Sequence, residues 1–214
     1  MVGHDHVIRG DGAVSLDGAE NAKSYDAMAS DYDRQLVDWG YEAPERAVGF
    51  LKAHLPSFEN ATILDCGCGT GMTGRALRQA GAEGRITGLD LSTASLDIAR
   101  KKSVYDDLRV ADLNQPLEMR DDSVDGVLCV GVFSYIREDS LLREWKRVIR
   151  SGGIVVFTSR DDFFDSRGVA RTLERLNAED GWSTVHISEP LPYLPRHPEF
   201  AETIRVIHGV CRVE

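Results

Sequence analysis

An α/β fold is predicted by three features of the chain: short apolar runs that end in an acid, amphipathic stretches of helical period between them, and a run of glycines at the first strand end. The acids are Asp65, Asp90 and Asp112. With 214 residues and 42% hydrophobic content, the chain can bury the core of one such domain and is too short for two full ones.

The first strand runs into its loop as Ile63-Leu64-Asp65-Cys66-Gly67-Cys68-Gly69-Thr70-Gly71. Glycines spaced two apart let the backbone turn sharply and approach a ligand with no Cβ in the way, and the helix that follows offers free N–H groups at its start. A nucleotide-like ligand is expected there, and spacing sorts three readings. A P-loop needs Lys and Ser or Thr after its last glycine, but Gly74 is followed by Arg75 and Ala76. The dinucleotide pattern Gly-x-Gly-x-x-Gly fails from Gly67, where its third glycine falls on Met72. It fits Gly69, Gly71 and Gly74, but starts four residues past Asp65, where a dinucleotide turn is already over. Asp-x-Gly-x-Gly-x-Gly fits every position from Asp65 to Gly71, with the acid shaping the loop and handling a cationic ligand.

Further units follow in order. Arg85 to Asp90 reads as a second strand, and Ser92 as the N-cap of a helix over Thr93 to Lys102. Leu108 to Leu113 reads as a third strand and Val124 to Phe133 as a fourth. A helix bearing Leu141, Leu142, Trp145, Val148 and Ile149 is expected to be capped by Ser151-Gly152-Gly153 before a strand over Ile154 to Thr158.

Ahead of this core, residues 1–21 read as a disordered tail, polar and glycine-rich, with His4 and His6 solvated. Residues 22–57 read as helical. Tyr25, Met28, Ala29, Tyr32, Leu36 and Trp39 share one face, and a second helix opens on Pro44 and buries Ala47, Val48, Phe50, Leu51 and Leu55. The aromatic stripe suits either a helix docked on the sheet or a lid. Residues 58–214 form the expected core.

Charge and composition exclude several classes. A net charge of −10, with no basic cluster larger than Arg100-Lys101-Lys102, repels a phosphate backbone, so DNA and RNA are not expected partners. No run of 18 apolar residues exists and the first twenty residues lack an apolar signal core, so a cytoplasmic protein without membrane association is expected. Cys66, Cys68, Cys129 and Cys211 lack zinc or cluster spacing; they read as packed thiols, with no metal expected.

The pattern from Asp65 to Gly71 resembles motif I of the class I S-adenosylmethionine-dependent methyltransferases, and the later units arrive in that family's order. The resemblance implies a Rossmann-like, seven-stranded, mostly parallel sheet with helices on both faces and an antiparallel last strand, its final strands being Trp182 to Ile187 and Thr203 to Val213. It implies S-adenosylmethionine as cofactor and S-adenosylhomocysteine as product. Asp65, Gly67, Cys68, Gly69 and Gly71 would form the cofactor loop, and Asp90, beside Leu91, would accept the ribose hydroxyls. Asp112 would accept from the adenine amine with Leu113 on the ring face, and Cys129 and Val130 would complete the site. Tyr25 to Asp33 resembles the Tyr-Asp-x-x-Ala-x-x-Tyr-Asp segment that closes over cofactor and substrate in the family, which places Tyr25 and Tyr32 in the reaction chamber. With Tyr41-Glu42-Ala43-Pro44, the chain is most similar to the methyltransferase-like proteins named after the Williams-Beuren syndrome chromosome region.

A small-molecule acceptor is expected. The fourth-strand end, Cys129-Val130-Gly131-Val132, has neither the Asn/Asp-Pro-Pro-aromatic motif of nucleic-acid amino methyltransferases nor the Pro-Cys of cytosine C5 enzymes. Tyr32, Phe133, Tyr135 and Arg160 are the candidate acceptor residues, Arg160 through its fork on a carboxylate. Phe163, Phe164 and the proline-rich residues 189–195 are candidate walls; a surface arginine and packed phenylalanines are the plainer alternative. Asp162 or Tyr135 is placed to serve as base if the acceptor needs one, and no catalytic residue is assigned. His186, His197 and His208 are possible bases by residue type alone, and the structural reading is favoured for each. A cofactor-binding module without turnover and an NAD(P)-dependent oxidoreductase remain the alternatives.

Overall fold

The computed structural model describes residues 33–133, 136, 138–179 and 181–214. Tyr25, Tyr32 and Tyr135, with the expected tail, lie outside them. Residues 33–38 are helical, followed by α1 (Ala43–His54), β1 (Ile63–Cys66), α2 (Met72–Gln79), β2 (Ile86–Asp90), α3 (Thr93–Lys102) and β3 (Asp107–Val110). The second half comprises β4 (Val124–Cys129), α4 (Glu138–Val148), β5 (Ile149–Arg160), α5 (Asp161–Ser166), α6 (Val169–Glu179), β6 (Trp182–Ile187), β7 (Leu191–Pro192) and β8 (Arg205–Val213).

The strands form one sheet in the order β3-β2-β1-β4-β5-β8-β6, with β7 paired to β8. β1 to β5 are parallel neighbours, and β8 runs antiparallel to β5, β6 and β7. Strand alternation sends successive apolar residues into two cores on opposite faces. Leu64, Cys66, Val127 and Val155 pack with Trp145 and Phe157 on one side, while Ile63, Leu128 and Val156 pack with Val48 and Leu51 of α1 on the other. Every residue of β1 is buried, as expected of a central parallel strand covered on both faces.

The expected helix over Thr93 to Lys102 has those bounds because Ser92 caps it, its Oγ accepting the Ser95 N–H at 3.0 Å. Three expectations are corrected. The sheet has eight strands among the described residues, because Leu191-Pro192 in the proline-rich connection pairs with Val206 and Arg205. Ser151-Gly152-Gly153 does not cap α4 ahead of a short strand; β5 already begins at Ile149, opposite Val124. Its register shifts before Ile154, where Gly152 takes φ +82° and a Cβ on Gly153 would meet the Asp125 carbonyl at 2.7 Å, so the glycines serve an irregular strand. The third and fourth strands end at Val110 and Cys129, which leaves Asp112, Leu113 and Val130 in the loops beyond them.

Candidate functional site

The glycine loop leaves β1 and is tied to the neighbouring strand by backbone bonds. Gly67 and Cys68 both donate to the Leu89 carbonyl, at 2.7 and 2.9 Å, and Gly71 N–H closes on the Cys68 carbonyl at 2.9 Å. Gly67, Gly69 and Gly71 all sit at positive φ, +75°, +50° and +95°. Their surroundings differ. A Cβ on Gly67 would strike the Val132 side chain at 2.4 Å, whereas a Cβ on Gly69 would meet nothing within 4 Å among the described residues. Gly69 therefore borders open space, as a ligand cradle requires.

Asp65 and Asp90 flank this loop. The Gly69 N–H donates to Asp90 Oδ2 at 2.7 Å and the Ser92 N–H to Oδ1 at 2.8 Å, so the acid ending β2 holds the loop on one side and the start of α3 on the other. Asp65 is fully buried and accepts from the Tyr105 hydroxyl at 2.6 Å through Oδ2; its Oδ1 has no partner among the described residues. Burial raises its pKa to about 7, the Tyr105 hydrogen bond working against that shift and the Asp90 charge adding to it.

Tyr105 was not visible as a site residue in the sequence. Its hydroxyl also accepts the Gly74 N–H at 3.0 Å. Its side chain fills a slot made by three glycines: a Cβ on Gly71, Gly74 or Gly88 would lie 3.2, 2.4 or 3.1 Å from it. Gly74, which completed the dinucleotide pattern, thus makes room for a tyrosine rather than for a pyrophosphate.

The thiols in and beside the loop pack. Cys66 accepts from Trp145 Nε1 at 3.4 Å, and a Cβ on Gly88 would lie 2.8 Å from Cys68 Sγ. Burial pushes the Cys66 thiol up to about 12 and those of Cys68 and Cys129 well above their ordinary value, so all three stay protonated and inert. Leu91 is partly exposed beyond Asp90. Asp112 caps its own turn, Oδ1 accepting the Asn114 N–H at 2.9 Å, with Leu113 buried beside it. Cys129, the last residue of β4, and Val130 just beyond it are buried.

Of the candidate acceptor residues, Phe133 and Arg160 lie among those described, and each is engaged elsewhere. Phe133 is 1% exposed and packs between Trp145, 5.9 Å away between ring centroids, and Phe157 at 4.6 Å, so it belongs to the core and not to an open wall. The Arg160 fork is engaged by Asp162, Nε at 3.0 Å and Nη2 at 2.7 Å, and its guanidinium lies over the Phe163 ring at 5.0 Å. That pairing occupies both the expected carboxylate clamp and the expected base. Phe163 and Phe164 are buried, as the plainer reading held.

Two arrangements take the place of those residues. Tyr41 and Tyr193 meet edge to face, 5.1 Å between centroids, and a Cβ on Gly131 would lie 3.1 and 3.6 Å from their hydroxyls. Gly131 follows the end of β4, and its N–H donates to Thr158 Oγ1 at 2.8 Å. Asp33 accepts from Thr70 Oγ1 in the glycine loop and from Lys102 at the end of α3, joining the N-terminal segment to both. Leu36 and Trp39, from the expected apolar stripe, pack there with Met72 and Leu194.

The chain matches a family of methyltransferase domains over residues 64–157. It is 32% identical to human (Homo sapiens) methyltransferase-like protein 27 over 171 residues, which are 78% of this chain and 69% of that protein. It is 33% identical to malonyl-[acyl-carrier protein] O-methyltransferase of Pectobacterium atrosepticum over 66% of this chain, and spans 53% of that relative's length. Among solved structures, a chain of the complex between the Haloferax volcanii Trm112 methyltransferase activator and a methyltransferase superposes with a TM-score of 0.66 at 23% identity, over 88% of this chain and 97% of that one, which shows the same fold. With a glycine loop that opens at Gly69 between the strand-ending acids Asp65 and Asp90, the chain belongs to the class I S-adenosylmethionine-dependent methyltransferases.

Proposed function

We propose that this chain transfers a methyl group from S-adenosylmethionine to a small-molecule acceptor held at the carboxyl end of β4. The observation that carries the reading is the pair Tyr41 and Tyr193 closed over Gly131, beside the glycine loop whose Gly67 packs on Val132. An aromatic pair over the end of β4 suits a small acceptor better than a polymer, and the net charge of −10 opposes a nucleic acid.

The site residues fit the cofactor on two counts: open space at Gly69 and a buried, unpartnered Asp65 oxygen suited to a cation. Asp65, Gly67, Cys68, Gly69 and Gly71 would hold it at the loop, Asp90 and Leu91 at the ribose, Asp112 and Leu113 at the adenine, and Cys129 and Val130 at the end of β4. Tyr25 and Tyr32 belong to the same proposal as lid residues. When bound, the cofactor supplies a methyl group already activated by its sulfonium. The chain's own tasks are alignment of the acceptor and exclusion of water, which the packed cluster of Leu36, Trp39, Tyr41 and Tyr193 would support. Asp162 is bound to Arg160 and is not proposed as base.

Incubation with methyl-labelled S-adenosylmethionine and a fractionated cell extract tests this. Label in the small-molecule fraction is expected; label confined to RNA or protein would redirect the reading to those acceptors, and bound cofactor with no transfer to any fraction would support a binding module.

A further inference from the structure

One hydroxyl group spans the whole glycine loop. Tyr105 donates to Asp65, the last acid before the loop, at 2.6 Å, and accepts from the Gly74 N–H, in the first turn of the helix after it, at 3.0 Å. The ring reaches that point because Gly71, Gly74 and Gly88 have no Cβ; any side chain at Gly74 would overlap it at 2.4 Å. Three glycines from a loop, a helix and a strand thus converge on one residue outside all three. The bond fixes Asp65 through Oδ2 and leaves Oδ1 buried and without a partner among the described residues, at the strand end that leads into the loop. A buried carboxylate oxygen with no donor is costly unless a ligand supplies one.

We propose that Tyr105 is a positioning residue of the cofactor site: it locks both ends of the glycine loop and presents Asp65 Oδ1 to the cationic amino-acid end of S-adenosylmethionine. The proposal rests on the cofactor reading above and adds to it the residue that prepares the acid.

A pH signature distinguishes this role from simple packing. The titratable groups that face Asp65 are Tyr105, Asp90, and the thiols of Cys66, Cys68 and Cys129. Burial holds the three thiols and the Tyr105 phenol protonated above neutral pH, so Asp65 is the group of this cluster that titrates near 7. A cationic ligand favours the carboxylate. Affinity should therefore fall as pH drops below about 7, where binding must first remove the Asp65 proton, and level off above it. The Tyr105 hydrogen bond lowers the Asp65 pKa, so its loss should move the midpoint upward.

The test is titration calorimetry of S-adenosylhomocysteine against pH, on wild type, Tyr105→Phe and Asp65→Asn, with carboxyl NMR of Asp65 in the free proteins. The expected result is a rise in wild-type affinity through neutral pH and, in Tyr105→Phe, an affinity at neutral pH lower by roughly tenfold with the midpoint displaced to higher pH. An unchanged affinity in Tyr105→Phe, or a uniform loss with the midpoint and the Asp65 titration in place, would overturn the proposal. Asp65→Asn keeps the acceptor for Tyr105 and should flatten the profile even if the phenylalanine variant folds poorly; a profile that still rises through neutral pH in that variant would also overturn it. Absence of binding by the wild type at every pH would sink the cofactor reading itself, a distinct outcome.

Discussion

The Gly69 N–H donates to Asp90 Oδ2 at 2.7 Å, so the residue that borders open space in the glycine loop is anchored to the acid that ends the adjacent strand. With Oδ1 held by Ser92 N–H, the carboxylate is oriented before any ligand arrives. Preorganisation of this kind lowers the cost of binding. Asp90→Ala should weaken S-adenosylhomocysteine by on the order of 2 kcal/mol, since it removes the proposed ribose acceptor and loosens the loop together. Calorimetry checks this, and an unchanged affinity would remove Asp90 from the ribose role.

Gly69 and Gly74 should respond differently to added side chains. A Cβ at Gly69 meets no atom of the described residues within 4 Å, so Gly69→Val should cost binding at least tenfold while lowering stability by only about 1 kcal/mol through its left-handed backbone. Gly74→Val should instead unfold the region, because its Cβ alone would overlap Tyr105 at 2.4 Å. Thermal melts beside ligand titrations separate the two; similar melting temperatures for both variants would contradict the assignment.

The elements of the site legible in the sequence are those whose role is local. Asp65 to Gly71 declare a strand-to-helix turn through spacing alone, and Ser92 declares the start of α3 in one residue. Tyr105 carries no signal of its own in the sequence, and Asp33, Tyr41 and Tyr193 appear there only within longer segments, because each acts through partners far along the chain: Asp65, Thr70, and the space above Gly131. Phe133 and Arg160 were chosen by position at strand ends, yet packing against Trp145 and pairing with Asp162 gave them other tasks. The one signal that could have flagged Tyr105 is the isolated Gly74 inside a helix and Gly88 inside a strand, which both call for a large neighbour.

Phe133 provides a direct contrast between core and site. Phe133→Ala should destabilise the fold by about 3 to 5 kcal/mol in urea unfolding, as for other buried aromatic residues, with cofactor affinity unchanged in the fraction that remains folded. A stable variant with altered acceptor preference would return Phe133 to the chamber wall.

Acid should weaken the fold through His208. The ring is buried on β8 beside Phe50, with His186 and Arg46 as its charged or titratable neighbours, and burial lowers its pKa from 6.5 to about 4. A depressed folded-state pKa means the neutral ring's contribution is present above 6.5 and lost as pH falls toward 4. Between pH 7 and pH 5 the wild type should lose about 2 kcal/mol of stability from this group, and His208→Leu should lose correspondingly less. Urea denaturation at the two pH values reads the difference; equal losses in both proteins would exclude His208 as the source.

The central claim is that the loop between Asp65 and Asp90 is the seat of the cofactor. A crystal structure of the chain with S-adenosylhomocysteine tests it most directly. The account predicts ribose hydroxyls on Asp90, the ligand lying against Gly69, and its amino group within reach of Asp65 Oδ1. A ligand bound elsewhere, or one that leaves Gly69 facing solvent and Asp65 Oδ1 without a donor, would contradict it.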